Sequence, residues 1–145
     1  VTKLRLTTVE AFGEIGSDAA ISALKIALDD TSAQVREAAV CILGSLEKEN
    51  KVEVLQSALQ DSDEAVRWRA FEKLSAAYDA QAITYLIKAL TDESPFVRKN
   101  AAEALAKSDD TRIIKPLFHS LKDSCPDVRQ AAYLALNKIQ KRNEG

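Results

Sequence analysis

Apolar residues recur along this chain at helical spacing, and the spacing itself recurs. Between Ala20 and Leu28 they stand at Ile21, Leu24 and Leu28, an i, i+3, i+7 series. A second stripe follows at Val35, Ala39, Ile42, Leu43 and Leu46. Both series place their side chains on one face of a 3.6-residue helix, and neither alternates as a strand does. A helix of roughly 11 residues followed by one of roughly 14 makes a helical hairpin. The hairpin then repeats. Val35-Arg36 returns as Val66-Arg67, Val97-Arg98 and Val128-Arg129, each step being 31 residues, and Leu4-Arg5 stands one step earlier. Further columns share the phase: Leu24, Leu55, Leu86, Leu117; Leu28, Leu59, Leu90, Leu121; Asp30, Asp61, Asp92, Asp123; Ala39, Ala70, Ala101, Ala132 headed by Thr8; and Phe12, Leu43, Leu74, Leu105, Leu136. Such a period is the signature of a repeat architecture. It predicts helices over 2–15, 18–28, 33–47, 49–59, 64–77, 80–90, 95–107, 111–121 and 126–141.

The segments between helices carry matching chemistry. Ser32, Asp63, Ser94 and Cys125 precede the second helix of each hairpin, and three of the four offer a side-chain oxygen for capping. Pro95 and Pro126 follow in the next column, the first helical position. Ser17, Lys48, Asp79 and Asp110 precede the first helix. Gly16 follows Ile15, where a helix end favours a left-handed residue. In each repeat an Asp lies in the turn and an Arg six residues on, in the first turns of the next helix. The carboxylate is expected to accept from nearby backbone N–H groups, and the guanidinium to bridge to a carboxylate of its own or the neighbouring repeat. Features kept in every repeat mark shared geometry, so both columns are read as structural.

The Asp-x-x-x-x-Val-Arg-x-x-Ala-x-x-x-Leu run from Asp30 to Leu43, with its copies, resembles the HEAT repeat in its short 31-residue form. That form occurs in phycobilisome-lyase-like HEAT proteins and in engineered helical-repeat binders. The resemblance extends from Leu4 to Ile139. It implies an all-α fold, a right-handed α-solenoid (α-α superhelix) of about nine helices, whose second helices line a concave, partner-binding face. One domain, 1–145, is expected: a half repeat 1–16, repeats 17–47, 48–78, 79–109 and 110–140, and a tail 141–145. The chain opens on a second-type helix without its first-type partner and without Met, as a piece of a longer solenoid would. That helix carries Leu4, Val9, Phe12 and Ile15 in core columns and Leu6 in an outward one. Soluble monomers avoid such an exposed apolar row, so self-association through the N-terminal helix, or further chain covering it, is expected.

Composition narrows the function. The 145 residues include 20 Lys+Arg against 22 Asp+Glu, a net charge of −2. No window approaches ~18 apolar residues, so no transmembrane span is expected. The opening residues do not read as a signal peptide. Cys41 and Cys125 lie almost three repeats apart. At ~10 Å per helix spacing that is roughly 30 Å, too far for an intramolecular disulfide. Two free thiols suit a reducing compartment, and a cytoplasmic location is expected.

No reaction chemistry stands out. His119 is the only histidine, which excludes the paired His-Glu motifs of di-iron HEAT oxygenases. A zinc site needs about four gathered ligands. Asp61, Asp63 and Glu72 mimic part of an EF-hand loop, but Val66 fills its glycine position. A Ser-His-Asp set, a Walker loop and a dinucleotide glycine motif are all missing. The expectation is therefore no enzyme, no cofactor and no metal. Cys125 is the one reactive candidate, as a thiol at a helix N-terminus, although Asp123 and Asp127 oppose thiolate formation.

The variable columns point to binding. Thirty outward positions of the second helices hold five bases (Lys3, Arg69, Lys99, Lys107, Lys138) and seven acids (Glu10, Glu14, Glu37, Glu64, Glu72, Glu103, Asp127). A nucleic-acid groove needs a basic excess that this face lacks. Trp68, the only tryptophan, takes an outward position, and Phe96 begins the corresponding helix of the next repeat. With Arg69, Glu72, Lys99, Asn100 and Glu103 around them they resemble an interface hot spot. The bland alternative is that Trp68 lies flat over a neighbouring helix. The expected function is a non-enzymatic protein–protein interaction scaffold. Two alternatives stand beside it. One is an accessory subunit of a phycobilin-lyase-like, chromophore-handling complex, carried by the resemblance alone. The other is a HEAT-like DNA glycosylase, for which Trp68 and Glu72 supply an i, i+4 aromatic–carboxylate pair and against which the missing basic face counts.

Overall fold

The computed structural model describes residues 1–46, 50–76 and 80–145. The cap positions Lys48 and Asp79, and the predicted helix ends at 47, 49 and 77, lie outside the described residues. Among the described residues there are nine α-helices and no strand: α1 Thr2–Ile15, α2 Asp18–Ala27, α3 Ala33–Leu46, α4 Lys51–Leu55, α5 Glu64–Ser75, α6 Ala80–Ala89, α7 Pro95–Leu105, α8 Ile114–Ser120 and α9 Pro126–Glu144. The all-α helical-repeat fold is as the periodicity implies.

The hairpins keep their predicted places, and the departures have local causes. The helix predicted over 49–59 is α4 followed by a 3₁₀ turn, Ala58–Gln60. Val52, Val54 and Ser57 lie there, weak helix formers with little propensity to sustain a full α-helix. The helix predicted over 111–121 opens as a 3₁₀ turn, Thr111–Ile113, before α8. Pro116 lacks an N–H and is tolerated only in a first helical turn, so the α-helix starts just before it. At the other extreme, α9 runs past 141 to Glu144, taking most of the predicted tail into the helix. Lys141 and Arg142 in its last turn suit the negative end of the helix dipole. The Arg142 guanidinium also donates to the carbonyls of Ala106, and of Ser108 at 2.8 Å, closing the C-terminal end of α7. Gly16 ends α1 at φ 62°, and its N–H donates to the Phe12 carbonyl. Ser17, Asp63, Ser94 and Asp110 cap the elements that follow them, whereas Cys125 makes no side-chain cap bond.

The chain divides into two compact units, Val1–Ala76 and Ala77–Gly145. In the first, α3 packs between α1 and α5, α2 rests on α1 and α3, and α4 on α3 and α5. In the second, α7 packs against α9, α6 against α7 and α8 against α9. The repeating columns are the core. Val35, Val66, Val97 and Val128 are at most 1% exposed, as are Leu24, Leu55, Leu86 and Leu117. Leu28, Leu121 and Leu136 are half-buried, and α1 departs most: Val9 is buried and Phe12 half-buried, but Leu4 is 66% exposed and Ile15 is exposed.

Two columns explain how neighbouring hairpins lock. In the turns, Asp30, Asp61, Asp92 and Asp123 each accept a backbone N–H two residues on, at 2.8–2.9 Å. The Arg six residues later donates to that Asp's own carbonyl, from Arg36, Arg67, Arg98 and Arg129, at 2.7–2.8 Å. The same guanidinium reaches forward: Arg5 meets Asp30, and Arg36 meets Asp61, while Arg98 meets Asp123 in the second unit. The bridge thus runs to the next repeat's carboxylate and to its own turn's carbonyl at once. The Asp61 carboxyl is held below its ordinary range: burial pushes it up, but the Arg36 guanidinium and the Asp63 N–H outweigh burial. Asp123 is lowered in the same balance by Arg98 and the Cys125 N–H.

The second device is a column of small residues, Gly13 and Gly44, one step apart. A Cβ on Gly13 would stand 2.8 Å from Ile42 of α3, and one on Gly44 would stand 2.7 Å from Lys73 Cβ of α5. These absent side chains set how closely α1, α3 and α5 approach.

Candidate partner-binding face

The outward side of the second-type helices carries the seven residues singled out above. The structure assigns Trp68, Arg69 and Glu72 to α5 in the first unit, and Phe96, Lys99, Asn100 and Glu103 to α7 in the second. In the first unit Trp68 is half-buried rather than exposed. Arg69 is fixed from two sides, its Nε 2.8 Å from Glu37 of α3 and its Nη1 3.0 Å from Glu72 one turn along α5. The hydrogen bonds that Arg69 donates to Glu37 and then to Glu72 hold its pKa above that of an ordinary arginine. Glu72 is correspondingly committed to a structural pair.

Glu37 belongs to the same outward columns and is the neighbour that sequence reasoning left out of the site. The signal was present: Glu37 stands at the Trp68 position one repeat earlier, beside the helix that carries Arg69. Further along this face, Glu10, Gly13 and Glu14 of α1, Cys41, Ile42, Ser45 and Leu46 of α3, and Lys73 of α5 enclose a shallow cavity of about 460 Å³. Lys73 Nζ donates to Ser45 Oγ at 3.2 Å across it. Burial pushes the Cys41 thiol up, which disfavours its thiolate.

In the second unit the face is more open. Phe96 is 49% exposed, and Asn100 Nδ2 donates to its carbonyl at 2.8 Å, one turn along α7. Lys99 is half-buried and Glu103 exposed. Leu134 of α9, at the Glu103 position one repeat on, is 48% exposed. It adds a second exposed apolar side chain to the outward columns of this unit. Among the described residues no three His, Cys, Asp or Glu side chains gather as metal ligands, and no helix is long and apolar enough to cross a membrane.

Comparison with known proteins agrees with this architecture. The model of HEAT repeats matches residues 24–106 and 83–144, and the model of the PBS lyase HEAT-like repeat matches residues 4–30. A chain from the structure of the complex of CpcE and CpcF of phycocyanin lyase from Nostoc sp. PCC7120 is similar at 26% identity, with a TM-score of 0.69. The match covers 96% of this chain and 60% of that one, so the present chain spans less than two thirds of its length. The crystal structure of an engineered protein is similar at 25% identity with a TM-score of 0.57, covering 92% of this chain and 72% of that one. A comparison with curated proteins finds no match. The 31-residue period, the Asp–Arg ladder and the family models converge: the chain belongs to the HEAT-repeat family, and its residues 4–30 match the PBS lyase HEAT-like form of the repeat.

Proposed function

We propose that the chain is a protein-binding HEAT module without reaction chemistry of its own, which holds its partner on the outward face of its second-type helices. The observation that carries this reading is the contrast within α7 and α9. Val97, Ala101 and Leu105 beneath are sealed at 1% exposure or less, while Phe96 of α7 and Leu134 of α9 stand about half exposed, and Lys99, Asn100 and Glu103 share α7 with Phe96. Exposed aromatic and aliphatic groups ringed by polar side chains are what interface hot spots are made of. The test is affinity for a partner recovered by pull-down. Phe96→Ala and Trp68→Ala should each weaken it by more than ~1 kcal/mol. Unchanged affinity in both variants would move the binding site off this face.

A second reading is favoured by the likeness to a chain of the CpcE–CpcF complex: this protein would serve as an accessory subunit in a chromophore-handling assembly, paired with another helical-repeat subunit. Incubation with a bilin followed by an absorbance scan tests it. A shifted and sharpened visible band supports the reading, and the spectrum of free bilin counts against it.

A further inference from the structure

The second unit carries another surface, on its first-type helices. A groove of about 710 Å³ runs between α6 and α8 and the turns that follow them. Its volume lies in the range of ligand-binding clefts. Ile87, Leu90 and Pro116 give it apolar walls, and Lys88, Lys115 and His119 stand exposed at its rim.

The charges deeper in the groove are already matched. Arg98 is bound through Nε and Nη2 to Asp123 and through Nη1 to the Asp92 carbonyl. Asp123 also receives the Cys125 N–H, and Asp92 the Ser94 N–H. This ladder is common geometry. The rim is not. Neither α6 nor α8 contains an acidic residue. The ammonium of Lys88 lies 5.3 Å from the Tyr85 ring centroid, which leaves its charge in place. Two repeat steps earlier, the positions of Lys88, Lys115 and His119 are Ile26, Glu53 and Ser57. Columns that hold the fold are kept from repeat to repeat; this cationic rim belongs to one pair of helices, as a binding feature would.

We propose that the α6–α8 groove binds an acidic peptide segment of a partner protein, with an apolar side chain seated against Ile87, Leu90 and Pro116 and flanking carboxylates on Lys88 and Lys115. His119 offers a ring N–H donor to the same segment. Charge complementarity selects this occupant. Two lysines beside apolar walls fit carboxylates around an apolar anchor, whereas a phosphate backbone calls for a longer run of cations. The surface lies on α6 and α8, not on α7 and α9, so the module would engage a partner at two places or two partners together.

The test uses the full chain and a fluorescein-labelled peptide of alternating Glu, Leu, Asp and Phe, read by fluorescence anisotropy. Its Lys-for-acid counterpart and a single-stranded RNA serve as competing probes. The acidic peptide should bind, and more weakly as salt rises. Lys88→Glu with Lys115→Glu should weaken it at least about tenfold, while Phe96→Ala leaves it unchanged. If the reversed pair perturbs the far-UV circular dichroism, Lys88→Gln with Lys115→Gln replaces it, with a smaller loss expected. The proposal is overturned by no binding at about 1 mM peptide, by equal binding of the basic peptide, by preferential binding of the RNA, or by an affinity that ignores both lysine pairs.

Discussion

Arg36 grips Asp61 with two parallel hydrogen bonds, Nε to Oδ2 at 2.8 Å and Nη2 to Oδ1 at 3.0 Å, across 25 residues of chain. The side chains are only 15% and 11% exposed, so solvent screens the pair weakly. Arg36→Ala leaves a partly buried carboxylate without its partner and should cost about 2–4 kcal/mol. Arg36→Ala combined with Asp61→Asn should cost less than the sum of those two single changes. Urea unfolding of the four proteins measures this directly, and strict additivity would show that the pair is not coupled.

Acid should weaken the fold through the same groups. Asp61 and Asp123 titrate lower in the folded protein than in the unfolded chain. Their contribution is therefore fully present above the unfolded value, about 4, and is lost as pH falls through the lowered folded value. Urea midpoints measured from pH 6 downward should fall most steeply below about pH 4. Asp61→Asn and Asp123→Asn should each flatten that fall.

Gly44→Ala sets two effects against each other. Alanine favours a helix interior over glycine by about 1 kcal/mol. The added methyl, however, meets Lys73 Cβ at 2.7 Å, an atom fixed to the α5 backbone. Overpacking of this kind costs about 1–3 kcal/mol, so the net change should be destabilising. A higher melting temperature for the variant would mean that α5 shifts without penalty.

Removing the Arg142 side chain should act locally. Arg142→Ala frees the carbonyls of Ala106 and Ser108. Amide hydrogen exchange should quicken in the last turn of α9 and the end of α7, with little change in α8. Uniform protection would show that α9 holds without this anchor.

Leu4 tests the exposed start of the first unit. It lines a groove of about 620 Å³ with Thr8, Phe12, Ala23 and Ile26. Light scattering over a concentration series is expected to report association, and Leu4→Asp to reduce it while leaving the unfolding midpoint within ~0.5 kcal/mol of the parent. A monomer at every concentration would show that this groove does not mediate self-association.

The fold was readable from the sequence because every internal hairpin solves the same packing problem. Val35 and its copies had to be core once their step was seen. What stayed hidden depends on distances between elements. Whether Arg36 turns to its own repeat or the next is undecided by spacing, since Asp30 and Asp61 lie on either side of it. Gly44 reads as an ordinary weak helix residue until α5 is set against it. Arg142 falls outside the repeat phase, so no column pointed to it. The candidate site was legible only in part, because exposure follows from what covers a residue. Trp68 and Phe96 take comparable outward positions, yet one is half-buried and the other open.

The Asp–Arg arrangement also bears on how the first unit comes apart. Arg5 binds the Asp30 carboxylate, the Asp30 carbonyl receives Arg36, and Arg36 binds Asp61, whose carbonyl receives Arg67. Each link shares a residue with the next. A hairpin that melts strands a guanidinium on one side and a carboxylate on the other, so damage passes to its neighbours. Opening should start where a link is most hydrated, and Arg5, at 43% side-chain exposure against 15% for Arg36, marks that place. Denaturation of this unit should then advance from α1 inward as a moving front, with α3 and α5 the last to yield.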